Sequence, residues 1–526
     1  METRVLSDRG RISLINGAKL AASVIGSTMG PAGRYVAIEY RGNVPEMTKD
    51  GVSVSSKIFL HDPVEEMGNE LVKMACLKTL AKTSDGTTTT AVLVGALAET
   101  LSGAMDGRPS AQVIEGAKQA VTDVQAKVRE ESVPFSPDDA LKVAVVSANS
   151  RELGTLAYQA FDGDYDLDVQ VELSNRPTTE VSVSRGLRIP AGYHSDRFVN
   201  MPDIGACILE DVAVLASDSV IEDVDSVTPA VSAVAVARNG GSGVTLLVVA
   251  EGFSEAVSGA LTRFASQGIP VLAVKAVASG SRCHEICGDI AALGGGVAYG
   301  DKSGRDMRDF TLGTAPRFGR VYANRNFCDV MGSGHADSEA VKTRLAAAQK
   351  SLSETESDFE KAHFGRRVRG LKFRFAYLSV GGVSDAERHE NGQRIEDAVG
   401  AVKAAMVGGT VIGCGQALYN AATELGDLSG MNDDFAAGYE AVLMACDSPR
   451  RQILLNAGLS EDEINAPSGV EIDPITMMQT DFRLKGILDP TEVPCVALEN
   501  AVSVAILIAN TLFSVSYMDR VGPYAK

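Results

Sequence analysis

The chain has 526 residues, of which 45% are hydrophobic and 22% charged, and its formal net charge is −19. The length predicts several domains with large cores. The negative charge excludes a nucleic-acid-binding protein, which would need a basic face. Eight cysteines lie scattered without the spacing of a disulfide framework, which predicts reduced thiols and a cytoplasmic location.

The first 130 residues have the apolar periodicity of a helical domain. Helices are predicted over 9–26, 66–82, 87–105 and 111–130, with a strand at 35–39 and a turn at 48–54. Neither the Rossmann fingerprint nor the P-loop motif is present, so these two common nucleotide-binding folds are disfavoured.

The stretch Ser84-Asp85-Gly86-Thr87-Thr88-Thr89-Thr90 separates two of these predicted helices. Four consecutive threonines suit a helix start better than a helix interior, because they lose rotamer freedom there. Their hydroxyls and the free N–H groups of a first turn could hold phosphate. Asp85 would repel a bare phosphate, so it would more naturally hold a cation that binds phosphate. The alternative is an ordinary capped helix, and the stretch alone does not decide between the two.

The central region, 186–372, reads as an α/β insert. Buried strands at 212–216, 244–250 and 271–274 alternate with helices at 226–238, 253–266 and 281–293. One long charged helix is predicted over 338–365, and the basic run behind it is interpreted as a solvated face. Cys283 and Cys287 are interpreted as thiols rather than as metal ligands. The apolar stretch 496–518 is interrupted by Glu499, Asn500, Ser503 and Asn510, which predicts a buried helix rather than a membrane span.

Taken together, the motifs resemble the chaperonin family, in particular its group I branch (GroEL-type, sixty-kilodalton heat-shock protein). The resemblance covers nearly the whole chain. The motifs are 29–34 (MGPAGR), 48–54 (TKDGVSV), 85–89 (DGTTT), 147–150 (SANS), 394–398 (RIEDA), 451–456 (RQILLN) and 486–490 (GILDP). The segment 192–200 (GYHSDRFVN) resembles the substrate-binding loop of the group I branch.

The resemblance implies a multidomain α and α/β architecture. A helical equatorial domain is expected from 1–131 and 406–526, and a small α+β intermediate domain from 132–185 and 373–405. The α/β apical insert, 186–372, would bind substrate. The implied function is an ATP-dependent chaperonin that binds non-native polypeptides in the cavity of a homo-oligomeric ring, usually of seven subunits, and promotes their folding. No nucleic-acid or membrane partner is expected, and the need for a co-chaperonin stays open.

The resemblance also implies the site residues. Asp397 and Asp50 would be catalytic, and Asp85 would hold Mg²⁺, with K⁺ as an optional further cation. ATP would contact Thr28, Met29, Gly30, Pro31, Lys49, Gly51, Asp85, Gly86, Thr87, Thr88, Thr89, Gly413, Cys414, Gly415, Asp473, Ile487 and Asp489. Protein substrate would bind through exposed apolar side chains at Tyr193, Phe198, Val231, Val257 and Leu261.

Several positions depart from the family pattern. Ser84 and Cys414 stand where the family usually has glycine, and Arg197, Thr228 and Thr262 predict a more polar substrate groove. This divergence suggests a virus-encoded member. It also motivates a second hypothesis, a ring-forming protein-binding scaffold with weak or vestigial ATPase activity and no folding cycle. A third, a small-molecule kinase, is disfavoured because no acceptor-binding motif is found.

Overall fold

The computed structural model describes residues 3–6, 8–39, 45–165, 167–174, 176–202, 205–276, 278–465 and 471–517. The chain forms two compact units. The first comprises Met1–Tyr165, Val171–Val181 and Leu378–Lys526, and the second comprises Asp166–Gln170 and Ser182–Tyr377. The finer division into equatorial, intermediate and apical segments stays a prediction.

The N-terminal part of the first unit is helical, as predicted. Its elements are β1 (Thr3–Leu6), α1 (Asp8–Gly26), β2 (Val36–Ile38), β3 (Glu46–Thr48), α2 (Gly51–Lys57), α3 (Pro63–Thr83), α4 (Thr87–Met105), α5 (Ser110–Glu130), α6 (Pro137–Ala148) and α7 (Arg151–Ala160). Helix α4 is apolar on nearly all sides and packs against α1 and α3, so it lies in the core of this unit. The threonine-rich stretch therefore stands at the start of a central core helix.

The central part of the chain alternates strands and helices. Its elements are β4 (Asp168–Leu173), β5 (Glu180–Ser184), β6 (Gly186–Ile189), β7 (Cys207–Ala216), β8 (Val220–Ile221), α8 (Thr228–Asn239), β9 (Thr245–Ala250), β10 (Gly252–Phe253), α9 (Glu255–Ser266), β11 (Val271–Lys275), α10 (Ser281–Gly294), β12 (Arg317–Ala323), β13 (Cys328–Met331), α11 (Glu339–Glu354) and α12 (Asp358–Lys372). Six strands form one mixed sheet in the order β11-β9-β7-β12-β13-β6. Strands β7, β9 and β11 run parallel, as their continuous apolar sequences predict.

The C-terminal part is again mostly helical. Its elements are β14 (Phe375–Val380), α13 (Asp385–Gly408), β15 (Thr410–Ile412), α14 (Gln416–Glu424), α15 (Asp433–Ala445), α16 (Ser448–Ala457), α17 (Glu461–Ile464), α18 (Phe482–Lys485), β16 (Leu488–Pro490), α19 (Glu492–Ala509) and β17 (Ser514–Tyr517). Helix α19 is long and apolar enough to cross a membrane, but 72% of it is buried inside the protein, where it packs on α4. It is a core helix, as predicted.

Two details of the predicted elements are wrong. The single helix over 338–365 is two helices, α11 and α12, which are separated where Thr355 has an extended backbone. The turn predicted at 48–54 is the end of β3 followed by helix α2.

Candidate functional site

A cavity of about 240 Å³ lies in the first unit, at the N-terminal end of α4. It is lined by Thr28, Met29, Gly30, Pro31, Lys49, Asp50, Gly51, Asp85, Gly86, Thr87, Thr88, Thr89, Val146, Ser147, Ala148, Asn149, Glu390, Gln393, Arg394, Asp397, Cys414, Gly415, Ile453 and Asp489. Most residues predicted to bind nucleotide therefore line one cavity, although they come from distant parts of the chain.

The first turn of α4 faces this cavity with its backbone donors uncapped. Its N-cap is Gly86, whose φ of 87° lies in the left-handed region and which offers no side chain to cap the helix. Helix α3, by contrast, is capped by Asp62, whose carboxylate accepts from two backbone N–H groups. Uncapped N–H groups at the positive end of a helix dipole form a natural anion site. The arrangement fits a bound phosphate.

Asp85 is fixed at the edge of the same cavity. One carboxylate oxygen accepts from the N–H of Gly86 at 2.6 Å, and the other accepts from the Ser147 hydroxyl at 3.1 Å. No ion pair to Asp85 is found among the residues that the structure describes. A held but uncompensated carboxylate beside a phosphate cradle is the donor that a hard cation prefers.

Residues Lys49 to Gly51 line the cavity next to the first turn of α4. The Asp50 carboxylate caps α2 by accepting from the N–H groups of Val52 and Ser53 at 3.2 and 2.6 Å. Lys49 places its ammonium group 4.7 Å from the centre of the Tyr35 ring. A Cβ atom at Gly51 would lie 2.3 Å from Thr88 Oγ1, so only glycine allows α2 and α4 to approach this closely.

Helix α13 presents Asp397 to the cavity, together with three residues on the same helical face. Glu390, Gln393 and Arg394 lie seven, four and three positions before Asp397, as a 3.6-residue repeat requires. Arg394 donates to Glu390 at 2.6 Å, and Gln393 donates to the Ser53 hydroxyl at 2.8 Å. These bonds fix the face of α13 that carries Asp397.

The cavity concentrates negative charge. Burial raises the pKa of Asp85, and the nearby Asp50 raises it further. Burial, with Asp85, Asp50 and Glu396 adding to it, raises the pKa of Asp397 well above its usual range. Burial and the charge of Asp85 raise the pKa of Asp489 to about 7. A divalent cation would relieve this repulsion.

The charged residues alone do not form a closed metal site. Within the described ranges, no three His, Cys, Asp or Glu side chains come together as a ready-made set of ligands. Mg²⁺ often takes only one or two carboxylates from the protein and completes its shell with water and phosphate oxygens. The donors present therefore fit Mg²⁺ that arrives with a nucleotide.

The far end of the cavity is formed by the turn after β15 and by strand β16. Cys414, Gly415 and Asp489 line it, as predicted. Gly413, Ile487 and Asp473 do not. Gly413 donates its N–H to the Ile487 carbonyl at 2.9 Å and so shapes the turn, whereas Asp473 accepts from Lys485 at 3.3 Å and from the Ile475 N–H at 2.8 Å. These three residues support the backbone around the cavity, and their direct contact with nucleotide stays a prediction.

Eight lining residues were not assigned to the site from the sequence: Val146, Ser147, Ala148, Asn149, Glu390, Gln393, Arg394 and Ile453. The helical repeat around Asp397 could have identified three of them. Asn456, behind the cavity, donates to the carbonyls of Gly26 and Met29, both at 2.9 Å, and so holds the loop that carries Thr28 to Pro31.

Comparison with known proteins agrees with this geometry. The model of the TCP-1/cpn60 chaperonin family matches residues 21–511. The chain belongs to this family. Two similar solved structures are of the chaperonin gp146 from the bacteriophage EL 2 (Pseudomonas aeruginosa) in presence of ATP-BeFx, in crystal forms I and II. Both are 19% identical to this chain, and each match covers 98% of it. The match covers 99% of the form I chain with a TM-score of 0.72, and 98% of the form II chain with a TM-score of 0.70.

The predicted chaperonin family and fold are thus confirmed. At 19% identity the likeness to the phage protein shows the fold alone. The group I branch and a viral origin stay predictions.

The predicted exposure of the apolar substrate groove is wrong for four of its five side chains. Phe198 and Val231 are each 3% exposed, and Val257 and Leu261 are fully buried. They belong to the core of the second unit, and only Tyr193 among the five is half-buried. An amphipathic helix buries its apolar stripe, so these side chains face the sheet. The outer faces of α8 and α9 carry Thr228, Ser232, Ser258 and Arg263 instead, although Val236 is 71% exposed.

The two departures from family glycines, Ser84 and Cys414, share a backbone feature. Ser84 has a φ of 56° and Cys414 a φ of 57°, both in the left-handed region that glycine tolerates without strain. Ser84 is the C-cap of α3, where glycine is the commonest choice. Cys414 packs its side chain against the apolar cluster of Met29, Val92 and Ile453, which offsets part of its strain.

We expect Ser84→Gly to stabilise the chaperonin by about 0.5–1 kcal/mol, because it removes the left-handed strain at the cap. Chemical denaturation should show a higher midpoint for the transition of the first unit. Ser84→Ala is the matched control, since it removes the hydroxyl but keeps a Cβ atom at the same φ. An equal gain in the alanine variant would contradict the backbone explanation.

Proposed function

We propose that this protein is an ATP-dependent chaperonin, which binds non-native polypeptides in a cytoplasmic homo-oligomeric ring of seven subunits and uses Mg-ATP hydrolysis to promote their folding. One observation carries the proposal. Asp397, on α13, lines the same cavity as Asp85 and the uncapped first turn of α4. A carboxylate beside a phosphate cradle is what water activation at a phosphoryl group requires.

The chemistry of each lining residue indicates its role in binding Mg-ATP. The N–H groups and hydroxyls of Thr87, Thr88 and Thr89 hold phosphate oxygens, and Lys49, which also lines the cavity, adds a positive charge. Asp85 is the ligand for Mg²⁺, which when bound neutralises charge on the phosphates. K⁺ remains an optional further cation. Cys414, Gly415 and Asp489 line the end of the cavity where adenosine would lie.

Asp397 is the catalytic carboxylate in this proposal, because its oxygens can accept a hydrogen bond and then a proton from an attacking water. Asp50 was assigned a second catalytic role. Both of its oxygens already accept from backbone N–H groups of α2, and one also lies 3.4 Å from Gln393 Nε2. We therefore assign Asp50 to positioning: it fixes Gly51 and the start of α2 beside the phosphate cradle.

One observation favours the second candidate, a ring-forming scaffold with weak ATPase activity. The apolar side chains expected to bind clients are buried in the second unit, and the outward residues of α8 and α9 are mainly polar. Clients that bind through exposed apolar segments would find little matching surface on these two helices.

A refolding assay separates the two candidates. An aggregation-prone client is diluted from denaturant with the purified protein, with and without Mg-ATP, while ATP turnover is measured in parallel. An active chaperonin should increase client recovery several-fold only when ATP is present. Suppressed aggregation with no ATP-dependent recovery would favour the scaffold. Electron micrographs of the same particles count the subunits in each ring, and adding a co-chaperonin tests whether one is needed.

A further inference from the structure

A second cavity, of about 390 Å³, lies entirely within the second unit and has an unusual lining. Its residues are Gln170, Gly186, Arg188, Pro190, Asn326, Phe327, Arg366, Arg369, Gly370, Arg374 and Phe375. Four of the eleven are arginines, and none is acidic. We call it the arginine cavity. Four arginines around one cavity are unexpected in a chain whose net charge is −19.

Two of the four arginines, Arg188 and Arg374, have other interaction partners in the protein. Arg188 donates to both oxygens of Asp329 at 2.6 Å, and its guanidinium lies 3.5 Å from the centre of the Phe327 ring. Arg374 has a further interaction of its own. Arg188 is therefore a rigid, neutralised part of the wall rather than a free charge.

Arg366 and Arg369 differ from these. Among the described residues neither has a hydrogen bond or ion pair to a carboxylate. They lie three positions apart on α12, so both side chains stand on one face of the helix. Gly370 lets that helix lie close to β6, since a Cβ atom there would come within 2.7 Å of Leu187. The two guanidinium groups are thus carried on a well-packed helix beside the cavity.

The neighbouring arginine shows that this segment is not simply a solvated basic face, as its sequence suggested. Arg367 is only 9% exposed and donates to Asp289 at 2.7 Å, while Asp289 also accepts from Arg344 at 2.6 Å. His363 contacts Glu285 at 2.7 Å on the same side. This buried network pins α12 to α10 and leaves Arg366 and Arg369 as the cations that face the cavity.

We propose that the arginine cavity binds a small phosphorylated molecule, with Arg366 and Arg369 as the phosphate-binding residues. The planar fork of arginine matches phosphate oxygens in pairs. The volume is within the range of small-molecule sites and exceeds what one inorganic phosphate needs. Gln170 and Asn326 add polar contacts, and Phe327 and Phe375 add an aromatic wall. The site is separate from the nucleotide cavity and does not depend on the proposed ATPase.

The test is calorimetric titration of the full-length protein with two probes, pyrophosphate and fructose 1,6-bisphosphate. Pyrophosphate supplies phosphate alone, and the sugar bisphosphate adds an organic part, so their relative affinities show which source of phosphate the site prefers. The double variant Arg366→Ala/Arg369→Ala should weaken binding at one site per chain by at least about a hundredfold, because it removes two charge-assisted contacts. Higher salt should weaken binding to the unmodified protein.

Two further variants keep the result interpretable. Arg366→Lys/Arg369→Lys retains the charge but not the planar fork, and we expect about a tenfold loss; it also serves if the alanine variant fails to fold. Arg308→Ala/Arg325→Ala removes two exposed arginines of the same unit that pair with aspartates, and it should bind normally. The proposal is overturned if neither probe binds, if both alanine double variants lose affinity equally, or if binding survives Arg366→Ala/Arg369→Ala when the nucleotide cavity is saturated with Mg-ADP. Mg-ATP binding, measured alongside, reports separately on the nucleotide cavity.

Discussion

Asp397→Asn is expected to reduce steady-state ATP turnover by about a hundredfold or more while Mg-ATP binding stays within a few-fold of the unmodified protein. Asparagine keeps the size of aspartate but lacks the charge and basicity needed to accept a proton from water, a contribution of about 10² to 10⁴ in rate. The phosphate cradle at α4 is untouched. Turnover by phosphate release and affinity by nucleotide titration, measured on the same preparation, check both halves of the prediction.

Glu396→Gln is the matched control for Asp397→Asn. Glu396 is the adjacent acid on α13, it is exposed, and it does not line the cavity. We expect turnover in this variant to stay near normal. Turnover that survives Asp397→Asn, or that falls as far in Glu396→Gln, would refute the catalytic assignment. A loss of ATP binding in Asp397→Asn would instead mean that the carboxylate positions the nucleotide.

The position of Asp397 depends on the close packing of α13 against Ser84, which cannot be recognised in the sequence. A Cβ atom at Gly400 would lie 2.7 Å from the Cβ of Ser84, so α13 passes directly over the residue that precedes Asp85. Gln393 adds its hydrogen bond to Ser53 on the same side. Asp397 is thereby held one helical turn from the contact. Its role could be inferred only from the family resemblance, because an acid in mid-helix has no local signature.

Local signals predicted the elements that build the site. The threonine-rich stretch gave the bounds of α4 as Thr87–Met105, which the structure reproduces. The break between α11 and α12 was missed, because charge runs through it and only the backbone at Thr355 marks it. The predicted exposure of the client groove is wrong for a deeper reason. An apolar stripe on a helix looks the same in a sequence whether it faces a core or a partner, and here Val257 and Leu261 face the core.

Asp85→Asn should abolish the Mg²⁺ dependence of ATP binding and weaken that binding by about a hundredfold in millimolar Mg²⁺. Asparagine can accept the N–H of Gly86 on its single oxygen and donate from its amide nitrogen to the Ser147 hydroxyl oxygen, but it lacks the charge that a hard cation requires. Nucleotide affinity titrated against Mg²⁺ concentration measures the effect. Ser147→Ala is the graded control, since it removes only one bond to the carboxylate, and we expect a loss of about tenfold.

The same substitution should have the opposite effect on stability without nucleotide. Burial and the charge of Asp50 raise the pKa of Asp85, so its ionised form destabilises the folded chain at neutral pH. Removing that charge is expected to stabilise the nucleotide-free protein, which a higher denaturation midpoint would show. A structural aspartate would give lower stability together with lost binding. A gain of stability together with a loss of Mg-ATP affinity would indicate that Asp85 serves ligand binding and lowers the stability of the fold. If Asp85→Asn retains its Mg²⁺ dependence, the cation must be held by another of the cavity's carboxylates.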